Sequence, residues 1–227
     1  EILAEIALSC KTIAVSGTSG KSTVTAMIYH VLDCAGLSPS LITGAGLVSL
    51  ERLGKIGNAV AGNGEWLVIE ADESDCSLVR YFPDIGIILN VDKDHKEISE
   101  LEEIFQKFSE NIKERNGVLF ANGDNLLAAK YVSNRLNLFG KEQSYGVQGV
   151  DYRVEGFSSC FRVRCAGELV RFCLPLPGKH NMENALAATS AALKVGINLH
   201  DIAEALSTFP GIYRRHQILG NFGGVTL

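Results

Sequence analysis

Apolar residues fall in short unbroken runs separated by longer amphipathic stretches, and this alternation repeats along most of the chain. Thr12-Ile-Ala-Val-Ser16, Trp66-Leu-Val-Ile-Glu70, Ile85-Gly-Ile-Ile-Leu-Asn90, Gly117-Val-Leu-Phe120 and Leu136-Asn-Leu-Phe139 have the length and continuous hydrophobicity of strands buried on both faces. Helical stretches lie between them, at about Lys21 to Cys34, Leu101 to Ile112 and Asn125 to Val132. A further helix opens the chain at Glu1 to Ala7, with Ile2, Leu3 and Ile6 on one face. Strands alternating with helices predict an α/β fold built on a mostly parallel sheet flanked by helices.

From Tyr152 to Leu174 the period shortens to two, with turn residues at Gly156-Phe-Ser-Ser159 and Ala166-Gly167, which predicts a small antiparallel β appendage. After Pro175 and Pro177 come an Ala-rich helix at about Asn181 to Val195 and another at about His200 to Phe209, divided by Gly196. The expected division is therefore a parallel α/β part (1–150), antiparallel strands (151–176), a helical part (177–222) and a closing stretch (223–227).

At 227 residues, 46% hydrophobic and 21% charged, the chain can bury one large core. Its formal charge of -5 argues against a nucleic-acid partner, which calls for clustered Lys and Arg in net excess. A bound anion must then be held by a local site. No run of about 18 apolar residues is present to span a membrane, and Glu1 to Ser9 lacks the basic start of a signal peptide, so a cytoplasmic location is expected. The six cysteines are expected as buried thiols. Cys160, Cys165 and Cys173 lie on alternating sequence without C-x-x-C spacing or paired His, which favours core packing over a metal site.

Ser16-Gly17-Thr18-Ser19-Gly20-Lys21-Ser22-Thr23 joins the first strand to the first long helix, where free backbone N–H groups and the helix dipole favour a phosphate. The strict Walker pattern is only partly met, since Val15 stands where it has glycine, but the shorter Gly-Thr-x-Gly-Lys-Ser/Thr form is complete. In such a P-loop Lys21 neutralises β/γ-phosphates and the Ser22 hydroxyl completes a Mg²⁺ shell.

Glu70-Ala-Asp-Glu-Ser-Asp75 begins where the next strand ends, the end at which open α/β sheets place ligand residues. Glu70 is the candidate to hold Mg²⁺ beside a triphosphate. Asp72, Glu73 and Asp75 read either as part of that site or as a solvated acidic loop capping a helix near Ser77. The following strand ends in Asn90-Val-Asp-Lys-Asp-His95, and His95 is a candidate metal or phosphate contact. Further on, His180, Asn181 and Asn184 open a helix, and the two amides share one face. Each offers the donor and acceptor that an adenine edge requires, although Asn181 could equally be an N-cap. Arg214 and Arg215, taken by themselves, read as a solvated charge pair.

These segments, with Pro177-Gly-Lys-His-Asn-Met-Glu-Asn184 and Gly211-Ile-Tyr-Arg-Arg215, stand in an order that resembles the central domain of the Mur ligases, in particular the alanine-adding branch. The resemblance covers almost the whole chain. It implies a domain that binds ATP and two Mg²⁺ ions, with Gly17, Thr18, Ser19, Gly20, Lys21, Ser22 and Thr23 around the phosphates. It further implies Ser22, Glu70 and His95 on metal, His180, Asn181 and Asn184 beside the adenine, and Arg215 on the phosphates. Lys21, Glu70 and His95 would be the catalytic set. The implied reaction is amide formation in peptidoglycan synthesis, in which ATP activates UDP-N-acetylmuramate as an acyl phosphate that L-alanine attacks. The chain is then expected to be the middle of a longer enzyme and inactive alone, with Gly223-Gly-Val-Thr-Leu227 opening a following domain. The alternatives are a relative with another acceptor, of murein peptide ligase or folylpolyglutamate synthetase type, and a non-catalytic nucleotide-binding module. Paired metal ligands disfavour the last, and the Glu70–Asp75 segment disfavours the folylpolyglutamate type.

Overall fold

The computed structural model describes residues 2–74, 76–92 and 98–213, together with the backbone at 221–222 and 225–226. In chain order the first half runs α1 (Ile2–Ser9), β1 (Lys11–Ser16), α2 (Lys21–Cys34), β2 (Ser40–Ile42), α3 (Val48–Arg52), β3 (Ala59–Val60), β4 (Trp66–Glu70), a 3-10 turn (Ser77–Arg80), β5 (Ile85–Ile88) and α4 (Ile98–Glu114). The second half runs β6 (Val118–Asn122), α5 (Leu126–Ala129), a 3-10 turn (Arg135–Asn137), β7 (Leu138–Gly140), β8 (Val147–Glu155), β9 (Ser158–Cys165), β10 (Glu168–Leu174), α6 (Lys179–Val195), α7 (Leu199–Ser207), β11 (Asn221–Phe222) and β12 (Val225–Thr226).

Ten strands form one sheet in the order β10-β9-β8-β7-β6-β5-β1-β4-β2-β3. From β8 to β2 every neighbouring pair is parallel. Antiparallel pairing is confined to β3 at one edge and to β9 and β10 at the other. The period-two strands therefore continue the main sheet instead of forming a separate appendage, and the division at residues 150 and 151 falls within β8.

The continuous hydrophobic runs have the expected cause. Ile13 and Val15 of β1, Val68 of β4 and Ile85 and Ile87 of β5 enter one core cluster with α2, α6 and α7. Their alternates Ala14, Leu67, Ile69 and Ile88 enter a second cluster on the opposite face with Leu101, Phe105, Phe108 and Ile112 of α4. Successive strand side chains point to opposite faces, so both must be apolar when helices cover both. In α6, Ala185, Ala187, Ala188, Ala191 and Ala192 are fully buried, and their small side chains let the helix lie close on α2 and the sheet.

Two features were not legible in sequence and one expectation needs correction. Ile2 and Ile6 of α1 are exposed, at 75% and 44%, and Ala7 is its buried residue. Residues Ser40 to Val60 hold two short strands and a helix too brief to show a period in sequence. The cysteines are not uniformly buried thiols: Cys34 is exposed, and Cys160 and Cys173 form a disulfide. The cause is register, because β9 and β10 place these two residues directly opposite one another, a relation that linear spacing does not reveal. Among the described residues no helix is long and apolar enough to cross a membrane.

Phe105 is fully buried in the α4 cluster, and Phe105→Ala is expected to lower unfolding free energy in urea by about 3–5 kcal/mol. A separate effect is expected at His30 of α2. Burial lowers its pKa, outweighing the raising effects of its bond to the Ala205 carbonyl and of Asp33. The unfolded chain then takes up this proton more readily than the folded one, so stability should fall as pH drops below about 6.5 and level off past the folded-state value. Urea midpoints across this range should show a smaller slope for His30→Gln.

Candidate functional site

The ends of β1, β4 and β5 converge on one spot, and the loop leaving β1 is shaped by its glycines. Gly17 has φ 131° and Gly20 φ 90°, conformations that L side chains rarely adopt. A Cβ on Gly17 would sit 3.0 Å from the backbone nitrogen and oxygen of Asn90, and one on Gly20 would sit 2.8 Å from Asn184 Oδ1. The loop can therefore touch the end of β5 on one side and α6 on the other. Gly20 occupies the N-cap of α2 without a side-chain cap, which leaves the first-turn N–H groups at the positive end of the helix dipole available to an anion.

Asn90 holds this loop in place. Its Oδ1 accepts from Ser19 N–H at 2.8 Å, its Nδ2 donates to the Ser19 carbonyl at 3.0 Å, and its own carbonyl accepts from Thr18 N–H at 3.1 Å. The Thr18 hydroxyl adds a contact by accepting from Asp92 N–H at 3.0 Å. Asn90 was visible in sequence only as the end of a strand, and its positioning role depends on β5 lying beside β1.

Ser22 and Glu70 are brought together by the fold. The Ser22 hydroxyl donates to Glu70 Oε1 at 3.1 Å, while Glu70 Oε2 accepts from the Thr43 hydroxyl at 2.9 Å and from Gly44 N–H at 2.7 Å. Two hard oxygen donors are thus oriented side by side, the donor chemistry that suits Mg²⁺. Thr43 and Gly44 gave no such signal in sequence. His95 lies outside the described residues.

Lys21 reaches back to the Gly17 carbonyl at 2.8 Å and meets both carboxylate oxygens of Glu73, at 3.0 and 2.9 Å. The solvated-loop reading is wrong for Glu73, which is only 7% exposed. The next turn has Cys76 at its N-cap, whose own side chain makes no cap bond. Asp72 stands 3.7 Å from Lys21. Burial pushes its carboxyl pKa up, but the Ser74 N–H and hydroxyl and the Lys21 ammonium outweigh that and hold it below the ordinary value. Asp75 lies outside the described residues.

Across from the loop, α6 presents His180, Asn181 and Asn184. Asn181 is not the N-cap, a place taken by Gly178. It lies within the first turn of the helix, buried, where its Nδ2 donates to the Pro177 carbonyl at 2.7 Å and its Oδ1 accepts from Asn184 Nδ2 at 3.3 Å. A cavity of about 220 Å³ separates the two walls and is lined by Ser19, Gly20, Thr23, His180, Asn181 and Asn184 among others. Arg214 and Arg215 lie outside the described residues. The segment leading to them is tied to the Thr43–Gly46 loop through Tyr213 N–H to the Gly46 carbonyl at 2.8 Å and a bridge between Leu47 and Ile212.

These features define an α/β domain whose strand–loop–helix junction is prepared for an anion and faces a cavity walled by buried amides. The Mur ligase middle domain family matches residues 15–192, and the chain belongs to that family. It is 37% identical over 237 residues to the UDP-N-acetylmuramate--L-alanine ligase of Syntrophomonas wolfei, covering 100% of this chain and 50% of the relative. It is 35% identical to the enzyme of that name from Clostridium acetobutylicum, covering 95% of this chain and 47% of the relative. A crystal structure of UDP-N-acetylmuramate-alanine ligase from Thermotoga maritima superposes with a TM-score of 0.85 at 27% identity, over 98% of this chain and 50% of that one. A UDP-N-acetylmuramate:L-alanyl-gamma-D-glutamyl-meso-diaminopimelate ligase from Neisseria meningitides gives 0.78 at 26% identity, over 92% and 69%. The chain thus spans about half the length of the curated relatives it matches.

Both loop glycines should resist a side chain. Gly17→Ala and Gly20→Ala are each expected to cost roughly 1–2 kcal/mol from the left-handed backbone alone. Denaturant titration should show the larger loss for Gly17→Ala, whose Cβ meets fixed backbone, whereas Gly20→Ala meets an amide that can rotate.

Proposed function

We propose that this chain is the ATP- and Mg²⁺-handling part of a cytoplasmic peptidoglycan-synthesis ligase that joins L-alanine to UDP-N-acetylmuramate. The observation that carries the reading is a cavity lined on one side by Ser19, Gly20 and Thr23 of the glycine loop and on the other by Asn181 and Asn184, with Lys21, Ser22 and Glu70 gathered at that same loop. A nucleoside triphosphate needs both, a charged end for phosphates and an amide end for the base. Residues 1–150 build the phosphate wall and 177–222 the base wall. The names of the relatives supply the acceptor and the amino acid.

On this reading a carboxylate oxygen of the acceptor attacks the γ-phosphorus while the bond to the bridging β,γ-oxygen breaks, releasing ADP and leaving an acyl phosphate. The alanine amine then attacks the acyl carbon, inorganic phosphate departs, and the nitrogen loses a proton to give the amide. Lys21 and the N–H groups of the first turn of α2 neutralise charge on the moving phosphoryl group, and Asn90 keeps the loop in register. Ser22 and Glu70 would hold Mg²⁺, which supplies further charge neutralisation. His95 and Arg215 are assigned to metal and phosphate respectively. Asn181 and Asn184 orient the base, with His180 at the cavity mouth. The remaining length of the relatives is assigned to acceptor and amine, so these 227 residues alone should bind nucleotide without making amide.

Calorimetric titration with a non-hydrolysable ATP analogue should show binding that depends on Mg²⁺ and weakens at least about tenfold in Lys21→Ala. Asn184→Ala should reduce the preference for adenine over guanine nucleotides. Unchanged affinity in Lys21→Ala would remove the basis for this reading.

A further inference from the structure

The Lys21 ammonium has three N–H donors, and the described residues already offer three acceptors at bonding distance. These are the Gly17 carbonyl and the two oxygens of Glu73. The pair is secluded, with the Lys21 side chain 12% exposed and that of Glu73 9% exposed. A phosphate arriving at Lys21 must therefore displace an acceptor. The Gly17 carbonyl belongs to a loop backbone clamped by Asn90, whereas Glu73 is a side chain that can rotate away. Once released, its carboxylate would be a secluded anion beside Glu70, Asp72 and the incoming phosphates. Such a charge is costly unless a cation compensates it.

We propose that Glu73 is an intramolecular stand-in for the nucleotide phosphates, a latch that occupies Lys21 in the empty site and excludes nucleotide arriving without a divalent cation. The latch rests on the nucleotide-site reading above. It gives Glu73 a positioning role distinct from that of Glu70. Glu70 is held by Ser22, Thr43 and Gly44 and is already placed for a cation, whereas Glu73 is committed to the lysine. Metal-free nucleotide would have to break the Lys21–Glu73 pair and leave three nearby carboxylates facing its own charge. Nucleotide carrying Mg²⁺ brings the compensation with it.

The test titrates the chain and its Glu73→Gln variant with ATP analogue, once in EDTA and once with Mg²⁺. Glu73→Gln keeps the side chain's shape and is expected to tighten binding in EDTA at least about tenfold, narrowing the ratio between the two conditions. If the unaltered chain binds with Mg²⁺ but Glu73→Gln does not tighten binding in EDTA, the latch is overturned and the nucleotide site stands. If no form binds nucleotide even with Mg²⁺, both are overturned. Should Glu73→Gln fail to fold, Glu73→Asp, which draws the carboxylate back by one methylene, is expected to shift binding in the same direction. Thermal melting of Lys21→Met, Glu73→Gln and the double variant checks the ion pair without any nucleotide. Lys21→Met alone should lower Tm by leaving Glu73 uncompensated, and adding Glu73→Gln should recover most of the loss. Additive shifts would overturn the latch.

Discussion

Strand β1 is paired on both edges and covered on both faces, so the point where it ends is set by sheet register and not by the loop that follows. Its neighbours β4 and β5 deliver Glu70 and Asn90 to that point. Asn90 then fixes the glycine loop through both its amide and its carbonyl. Shifting the register of β5 by one residue would exchange its faces and separate Asn90 from Ser19. The anion-ready start of α2 depends on that pairing.

Among the described residues, the electrostatics of the site follow from crowding Lys21, Glu70, Asp72 and Glu73 around this junction. Each carboxylate has a defined partner: Glu70 takes hydroxyl and backbone donors, Glu73 takes Lys21, and Asp72 takes Ser74 with Lys21 further off. The assignment keeps three negative charges within one small region without leaving any of them uncompensated. It also sets the oxygens of Ser22 and Glu70 side by side and commits Lys21 to Glu73.

The α6 side of the cavity has a different origin. Alanines let α6 lie close on α2 and the sheet, which brings Asn184 against Gly20. The glycine is thus as much a requirement of the α6 contact as of the turn. Asn181 and Asn184 satisfy one another in part, so a buried amide pair persists at the cavity wall with donor and acceptor atoms in a set order.

Local chemistry alone determined much of this protein. The unbroken hydrophobic runs announced strands buried on both faces, the Gly-Thr-Ser-Gly-Lys-Ser segment announced a glycine loop between a strand and a helix, and Glu70 was legible as the end of a strand. Each is legible because its cause lies within a few residues, in side-chain periodicity, backbone freedom or charge. Tertiary structure alone decided which acids pair and which remain available. Glu73 looked no different from Asp72 in sequence, yet the chain buries it against a lysine 52 residues away. The same holds for Asn90 on Ser19, for Thr43 and Gly44 on Glu70, and for Cys160 opposite Cys173. These contacts arise from strand order and register, which depend on packing across the whole sheet and have no counterpart in linear spacing.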